Sequence, residues 1–281
     1  MITSEWTGPV GDVWAREWRR TDRSFAPLEQ ALEAAILDVA PASGRFVDIG
    51  CGAGTTSLAI AAARPNAEVI GLDLSDGLLA VARDRAAGVA NLRFESGDAS
   101  LTITDHAPVD LISSRHGVMF FDDPVAAFAR LNAAAAPGAP LVFSCFRAMA
   151  DNVWARETMG AVPAVADQPP ADPDAPGPFA FADRARVEAI LTAAGWQSLT
   201  ATSVDYAYRA GEGDDPVADA VSFFARIGPT ARALRTALDA DREAAMAVIT
   251  AACERYRTDT AVDFPAAAWI WTATATGGPR A

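Results

Sequence analysis

The chain has 281 residues, of which 51% are hydrophobic and 21% charged, and its formal net charge is −13. This composition excludes a disordered chain and predicts a globular core. All positive residues are arginines and acidic residues outnumber them, so an extended nucleic-acid-binding surface is not expected. The 3 cysteines are far apart and fit neither a disulfide framework nor a zinc site, so we expect a reducing, cytoplasmic location.

Two helical patterns precede the first predicted strand. Trp14 and Trp18 are four residues apart and are expected on one face of a single helix. A second apolar stripe runs from Leu28 to Val39. From about residue 45 to residue 200, strand and helix patterns alternate, which predicts an α/β fold with a mostly parallel sheet. The predicted strands cover residues 45–49, 67–72, 91–95, 109–113, 140–145, 198–208 and 266–274.

Helix signals separate these strands. Ser75 is suited to cap a helix over residues 76–87, and Asp123 followed by Pro124 is a strong helix start. A stretch dense in proline and aspartate, residues 163–178, predicts a surface loop. Later helical patterns cover residues 149–166, 183–194 and 215–257, the last of them broken at Gly228.

The sequence DIGCGAG at residues 48–54 joins the first predicted strand to a helix. Its glycines, Gly50, Gly52 and Gly54, permit a tight turn and let a ligand approach the backbone near the helix N–H groups. A dinucleotide-binding turn has its third glycine three residues after the second, where this chain has Thr55. Asp48 places a carboxylate at the strand end, which suits a ligand with a cationic amine better than a pyrophosphate.

Acidic residues also follow the second and third predicted strands. Asp73 comes 19 positions after Gly54, and a carboxylate there can accept hydrogen bonds from both hydroxyls of a ribose. Asp98 follows the third strand, where a short polar group can meet an adenine edge. Because ligands bind at the carboxyl edge of open α/β sheets, the strand ends predict one ligand-binding site at that edge.

Together these motifs resemble those of class I S-adenosylmethionine-dependent methyltransferases, in the small-molecule branch related to ubiquinone and menaquinone biosynthesis. The resemblance covers about residues 44–145 and rests on VDIGCGAG at 47–54, GLDLS at 71–75, GDA at 97–99 and DLISSR at 110–115. It implies a Rossmann-like seven-stranded, mostly parallel sheet in the order 3-2-1-4-5-7-6, with the last strand antiparallel and with a helical cap.

The resemblance also implies which residues bind the cofactor. The ribose would be bound by Asp73, and the adenine would pack on Leu74 and hydrogen-bond to Asp98 and to the N–H of Ala99. The residues at the methionine part of S-adenosylmethionine would be Asp48, Gly50, Cys51, Gly52, Gly54, Ser114 and Arg115.

Three segments follow from the same resemblance. Residues 1–43 would form an N-terminal helical cap segment, and residues 44–148 would form the cofactor-binding core. Residues 149–281 would complete the core sheet and carry inserted cap helices at about 149–180 and 213–257. These caps would roof the pocket for the methyl acceptor.

The implied reaction is an SN2 methyl transfer to a small, largely apolar acceptor, with S-adenosylhomocysteine as the product. Nucleic acid, a membrane span and a metal ion are not expected, and the acceptor's identity and the oligomeric state are left open. His116 lies in a loop that faces the transferred methyl group in this class. It is a candidate general base, and a pocket-wall histidine is the alternative. His106 lies in a polar loop and is expected to be solvated.

Two other functions fit part of the pattern. An NAD(P)-dependent oxidoreductase shares the strand, the glycine turn and the ribose-binding acid. The glycine spacing and the absence of lysine from the chain oppose it. A protein that binds S-adenosylmethionine without catalysis would keep the same pocket, and no sequence feature excludes it.

Overall fold

The computed structural model describes residues 6–161 and 175–276. The strands in this part of the chain are β1 (Ser43–Ile49), β2 (Asn66–Asp73), β3 (Leu92–Ser96), β4 (Leu111–Arg115), β5 (Pro140–Phe146), β6 (Gln197–Glu212) and β7 (Ala261–Thr274). They form one sheet in the order β3-β2-β1-β4-β5-β7-β6. Strands β1 to β5 pair in parallel, whereas β7 is antiparallel to both β5 and β6. The predicted fold class is therefore confirmed.

The helices are α1 (Pro9–Arg16), α2 (Trp18–Val39), α3 (Thr55–Ala63), α4 (Asp76–Arg85), α5 (Ala99–Thr102), α6 (Pro124–Ala134), α7 (Val153–Met159), α8 (Arg184–Ala193), α9 (Pro216–Phe224), α10 (Gly228–Thr236) and α11 (Asp239–Arg255). The side chain of Ser75 accepts a hydrogen bond from the Leu78 N–H at 3.3 Å. The side chain of Asp123 accepts one from the Ala126 N–H at 3.0 Å. Both predicted helix starts are confirmed, because each cap satisfies an N–H that the helix leaves unpaired.

Parallel pairing brings the carboxyl ends of the central strands to one edge of the sheet. Ile49 of β1 lies beside Leu72 of β2, and Asp48 lies beside Ser113 of β4. Asp73 in turn lies beside Ser96 at the end of β3. Neighbouring strands are about 5 Å apart, so the loops that follow β1, β2, β3 and β4 start close together.

The prediction that Trp14 and Trp18 share one helix was wrong. Helix α1 ends at Arg16, and Glu17 separates it from α2. The buried Glu17 carboxylate accepts hydrogen bonds from Arg20 at 2.8 Å and from Arg226 at 2.9 Å. The spacing argument assumed a continuous helix and had no information about Arg226, which lies far along the chain.

The two antiparallel strands are longer than predicted. The prediction placed the start of β7 at residue 266. The preceding Pro265 lacks an N–H, and proline is usually found at strand boundaries. In the structure β7 begins at Ala261, and Pro265 pairs with Ala207 of β6. Pairing of β7 with β5 reaches only to Ala268, so Pro265 lies at a free edge where a missing donor costs nothing. Between β6 and β7, α9 to α11 form the inserted segment.

Two segments that connect strands differ from the prediction. His106 was expected in solvent, but it is 8% exposed, and its Nε2 lies 3.4 Å from Glu95. The predicted helix at 149–166 is a 3-10 turn at Met149–Asp151 followed by α7, and residues 162–166 lie outside the described residues. Most of the predicted loop at 163–178 lies outside them too. Among residues 6–161 and 175–276, no helix has the length and apolarity that a membrane crossing requires.

The packing of α2 on β5 and β6 can be tested with Leu32→Ala. Leu32 is 0% exposed, so we expect its truncation to leave a cavity and to lower the free energy of unfolding by about 2–5 kcal/mol. Val39→Ala is a matched control on the same helix, since Val39 is 39% exposed, and it should change stability by about 0.5 kcal/mol or less. Urea denaturation followed by tryptophan fluorescence measures both, and equal losses would contradict this packing.

Candidate active site

A cavity of about 1090 Å³ opens at the carboxyl edge of the sheet. Helices α1 and α2 and the inserted segment contribute to its walls. The predicted site residues that line it are Gly50, Cys51, Gly52, Asp73, Leu74, Asp98, Ala99, Arg115 and His116. The predicted residues outside the lining are Asp48, Gly54 and Ser114.

The glycine turn after β1 has backbone angles that favour glycine. Gly50, Gly52 and Gly54 have φ values of 63°, 54° and 82°. A side-chain carbon on Gly52 would meet no atom within 4 Å, so this backbone is open to the cavity. A side-chain carbon on Gly54 would lie 2.7 Å from the Phe94 ring. Gly52 therefore leaves room for a ligand, whereas Gly54 allows α3 to pack closely on β3.

Asp73 joins two of the loops at this edge. Its Oδ2 accepts a hydrogen bond from the Gly52 N–H at 2.8 Å, and its Oδ1 accepts one from the Ser75 N–H at 2.8 Å. Burial raises the pKa of Asp73, and these backbone hydrogen bonds oppose that rise. Each carboxylate oxygen can accept a second donor, so Asp73 can hold the turn and still bind hydroxyl groups.

Asp98 begins the short helix α5 beside the same cavity. Its Oδ1 accepts hydrogen bonds from the Ser100 N–H at 2.9 Å and from the Ser100 hydroxyl at 2.7 Å. Leu74 and Ala99 supply apolar surface to the cavity. This part of the cavity wall thus combines a carboxylate with apolar side chains.

Asp48 lies behind the glycine turn and is 1% exposed. The Ser57 hydroxyl donates to its Oδ2 at 2.6 Å, and the Ser113 hydroxyl donates to its Oδ1 at 3.2 Å. Burial raises the pKa of Asp48 to about 7, although the Ser57 hydrogen bond lowers it. Its oxygens are therefore occupied by α3 and β4.

Arg115 at the end of β4 is neutralised by helix α2. Its guanidinium lies 3.0 Å from Asp22 and 3.1 Å from Glu29. Burial lowers the pKa of Arg115, but the two carboxylates together raise it by more than burial lowers it. The net pKa shift is therefore upward. Asp22 also accepts a hydrogen bond from Thr55 at 2.7 Å, which ties α2 to the start of α3. Asp22 and Glu29 were missed by the sequence analysis, and the signal was a pair of acids seven residues apart beside the apolar stripe of α2.

His116 follows Arg115 in a left-handed backbone conformation with φ 58°. Its Nδ1 lies 2.8 Å from the Ser144 hydroxyl, and burial lowers the pKa of His116 to about 3. Among the described residues, its buried Nε2 has no hydrogen-bond partner. His116 is therefore a neutral imidazole with one ring nitrogen fixed.

The backbone beside His116 approaches the glycine turn closely. A side-chain carbon on Gly50 would lie 3.0 Å from the Gly117 Cα. The Ser114 hydroxyl donates to the Ile49 carbonyl at 2.7 Å and accepts from the Gly117 N–H at 3.2 Å. Ser114 thus fastens the loop after β4 to the end of β1, and His116 is placed next to the turn.

Known proteins are similar in sequence to the part of the chain that carries these loops. A family model described as a methyltransferase domain matches residues 46–138. A trans-aconitate 2-methyltransferase of Variovorax paradoxus is 36% identical over 124 residues, which are 44% of this chain and 45% of that protein. A malonyl-[acyl-carrier protein] O-methyltransferase of Methylococcus capsulatus is 32% identical over 118 residues, which are 42% of each chain. The chain spans less than half the length of these relatives in the matches.

Solved structures share the fold. Phosphoethanolamine N-methyltransferase 2 of Haemonchus contortus, in complex with S-adenosyl-L-methionine, has a TM-score of 0.56 and 15% identity, covering 100% of this chain and 60% of that chain. The YcgJ protein of Bacillus subtilis has a TM-score of 0.55 and 18% identity, covering 87% and 97%. At these identities the likeness concerns the fold alone. With the family match, it confirms the resemblance predicted from the motifs.

Asp48→Asn removes a titration that the fold perturbs. The pKa of Asp48 is about 7 in the folded chain and has an ordinary value of 3.8, so the folded chain binds the proton more firmly. Asp48 therefore lowers stability progressively as the pH rises from about 4 to about 7. We expect the variant to gain stability over the native chain in this interval, by a few kcal/mol at most, since one pKa unit is about 1.4 kcal/mol.

The difference should be constant above about pH 7, where Asp48 is ionised in both states. Urea midpoints of the two proteins between about pH 4 and pH 8 measure it. Comparing the two proteins cancels the titration of the other acidic groups. Parallel curves over the whole range would contradict a raised pKa at Asp48.

Proposed function

We propose that this chain, whose residues 46–138 match a methyltransferase domain, transfers a methyl group from S-adenosylmethionine to a small-molecule acceptor. One observation carries the proposal. The matched residues 46–138 contain the loops after β1, β2, β3 and β4, and these loops line a single cavity. The motifs, which are separated along the sequence, therefore lie close together in the folded chain.

An S-adenosyl group fits the residues at this edge. The open backbone at Gly52 would accommodate the methionine part, and Asp73 would accept hydrogen bonds from the ribose hydroxyls. Leu74 and Ala99 would flank the adenine, with Asp98 at its edge. The residues outside the lining would hold the turn in shape rather than touch the ligand.

The sulfonium group of S-adenosylmethionine supplies an electrophilic methyl carbon with a good leaving group. The chain then has to orient the acceptor and exclude water, and orientation can contribute up to about 7–11 kcal/mol. Trp14 of α1 and Trp18 of α2 line the cavity on the side of the N-terminal helices. These two side chains help to enclose the reacting groups and to exclude water from them.

A small acceptor agrees with the size of the cavity. Pockets for drug-sized ligands are about 300–1000 Å³, and this cavity of about 1090 Å³ has room for a cofactor and a small second molecule. The relatives described above are named for trans-aconitate and malonyl-[acyl-carrier protein]. We infer an acceptor group of comparable small size.

The two alternatives make different predictions for binding. An NAD(P)-dependent oxidoreductase would bind NAD or NADP, and a non-catalytic protein would bind S-adenosylmethionine without turning it over. Isothermal titration calorimetry with S-adenosylmethionine, S-adenosylhomocysteine, NAD and NADP separates the first alternative. Binding of NAD or NADP without binding of S-adenosylmethionine or S-adenosylhomocysteine would reject the proposal.

Asp73→Asn tests the ribose contact. The variant keeps a side-chain oxygen for one backbone N–H but loses the charge and one acceptor oxygen, so its hydrogen bonds to the ribose become weaker. Hydrogen bonds to charged groups contribute about 1.5–3 kcal/mol. We expect the dissociation constant of S-adenosylhomocysteine to rise at least about tenfold, as measured by calorimetry.

Asp76→Asn is the matched control for that experiment. Asp76 lies three residues further along the chain, is exposed and does not line the cavity. The dissociation constant of S-adenosylhomocysteine for this variant should stay within about twofold of the native value, because Asp76 does not contact the ligand in the proposed site. Equal affinity in Asp73→Asn and the native chain would remove Asp73 from the binding site.

A further inference from the structure

The end of the cavity beside His116 is walled by aromatic rings. We name Phe25, Phe146, Trp154, Phe179 and Tyr208 the aromatic cluster, and all of them line the cavity. Ring centroids are 5.4 Å apart for Phe146 and Trp154, 5.6 Å for Phe146 and Phe179, and 4.9 Å for Trp154 and Tyr208. Phe25 lies 5.8 Å from both Phe146 and Tyr208. Such a surface favours a flat apolar ligand.

Two buried polar atoms in this region have no partner among the described residues. They are Nε2 of His116 and Nε1 of Trp154, and both side chains line the cavity. Their rings lie on Phe146, with centroids 4.3 Å and 5.4 Å from it. A buried polar atom without a hydrogen bond is destabilising, so a ligand that supplied the missing partner would bind more tightly.

The charges around the aromatic cluster disfavour an anionic ligand there. Arg115 is adjacent to His116, but Asp22 and Glu29 already neutralise its guanidinium. The other arginines that line the cavity are all exposed, and they are Arg130, Arg226, Arg232 and Arg235. A carboxylate among the aromatic rings would be buried without a counter-ion, which is expensive.

We propose that the methyl acceptor is a planar aromatic hydroxyl compound, held by the aromatic cluster and hydrogen-bonded through its hydroxyl to Nε2 of His116. This inference rests on the proposed function and names the acceptor class of the same site. Nε2 is buried, and the imidazole packs against Phe25 and Phe146 with ring centroids 5.0 Å and 4.3 Å away, so the acceptor reaches Nε2 only when a neighbouring side chain moves. A second oxygen on the acceptor can accept the Trp154 indole N–H.

The Ser144 hydrogen bond orients the imidazole for this task. When Nδ1–H donates to the Ser144 hydroxyl, Nε2 carries the lone pair that receives the acceptor's proton. Transfer of the methyl group forms one C–O bond and breaks one C–S bond, whose electron pair stays on sulfur, while the hydroxyl proton moves to Nε2. A neutral imidazole of low pKa suffices, because the oxygen becomes a strong acid as the C–O bond forms.

Three matched probes test the inference by binding alone. Naphthalene measures the aromatic cluster, 2-naphthol adds a hydroxyl, and 2-naphthoate adds a carboxylate instead. We expect the native chain, saturated with S-adenosylhomocysteine, to bind 2-naphthol about tenfold more tightly than naphthalene, the factor that one hydrogen bond confers. Quenching of tryptophan fluorescence measures each dissociation constant, since Trp154 belongs to the aromatic cluster.

His116→Asn should reduce this tenfold preference to about one. Asparagine accepts the left-handed backbone angle at this position better than most residues, so the variant is expected to fold. His106→Asn is the matched control, because His106 is also a buried histidine but does not line the cavity, and it should keep the preference. Circular dichroism and calorimetry with S-adenosylhomocysteine check the fold and the cofactor site of both variants.

An unchanged preference in His116→Asn would overturn the inference. Tightest binding of 2-naphthoate by the native chain, lost in Arg235→Gln, would also overturn it in favour of an anionic acceptor at the inserted segment. In either case retained binding of S-adenosylhomocysteine leaves the proposed function intact. Loss of that binding in the native chain would reject the proposed function itself.

Discussion

The hydrogen bonds of Asp73 are the interaction on which the site depends. One carboxylate accepts N–H groups from the glycine turn after β1 and from the loop after β2, so the two loops are held in one arrangement. Parallel strand pairing brings these loops together, and the carboxylate fixes their relative position. The backbone at Gly52 is open to the cavity, whereas the backbone at Gly50 packs against Gly117. Asp73, a half-buried acid whose pKa is raised by burial, thus holds the two loops together, and in the proposed function it also binds the ribose.

Helix α2 connects this edge of the sheet to the inserted segment. On one side Asp22 and Glu29 neutralise Arg115 and reach the start of α3. On the other side Arg20 pairs with Asp219 at 2.8 Å, and Glu17 binds Arg226. Apart from Arg226, these side chains are at most 28% exposed, so solvent and salt screen their charges only in part. Ion pairs of helix α2 therefore connect the inserted segment to the carboxyl edge of the sheet.

The comparisons and the cavity divide the chain in the same way. The matched residues 46–138 contain the loops that would hold the cofactor, and also His116. The rings of the aromatic cluster come from α2, from β5, α7 and β6, and from the segment before α8, and all lie outside that match. Relatives can therefore share the donor site and differ in the acceptor. This is the reason that the acceptor has to be inferred from the side chains of this chain.

Local sequence determined the order of strands and helices, the glycine turn, the caps at Ser75 and Asp123, and the three acids at strand ends. With the resemblance to a known family, it also predicted the sheet order. Tertiary structure alone decided that Glu17 breaks the first helix, that His106 is buried, that Asp48 turns to Ser57 and Ser113, and that five aromatic rings meet beside His116. The physical reason is range. Periodicity, turn chemistry and capping act between residues a few positions apart, whereas burial and ion pairing depend on partners that only the folded chain brings together.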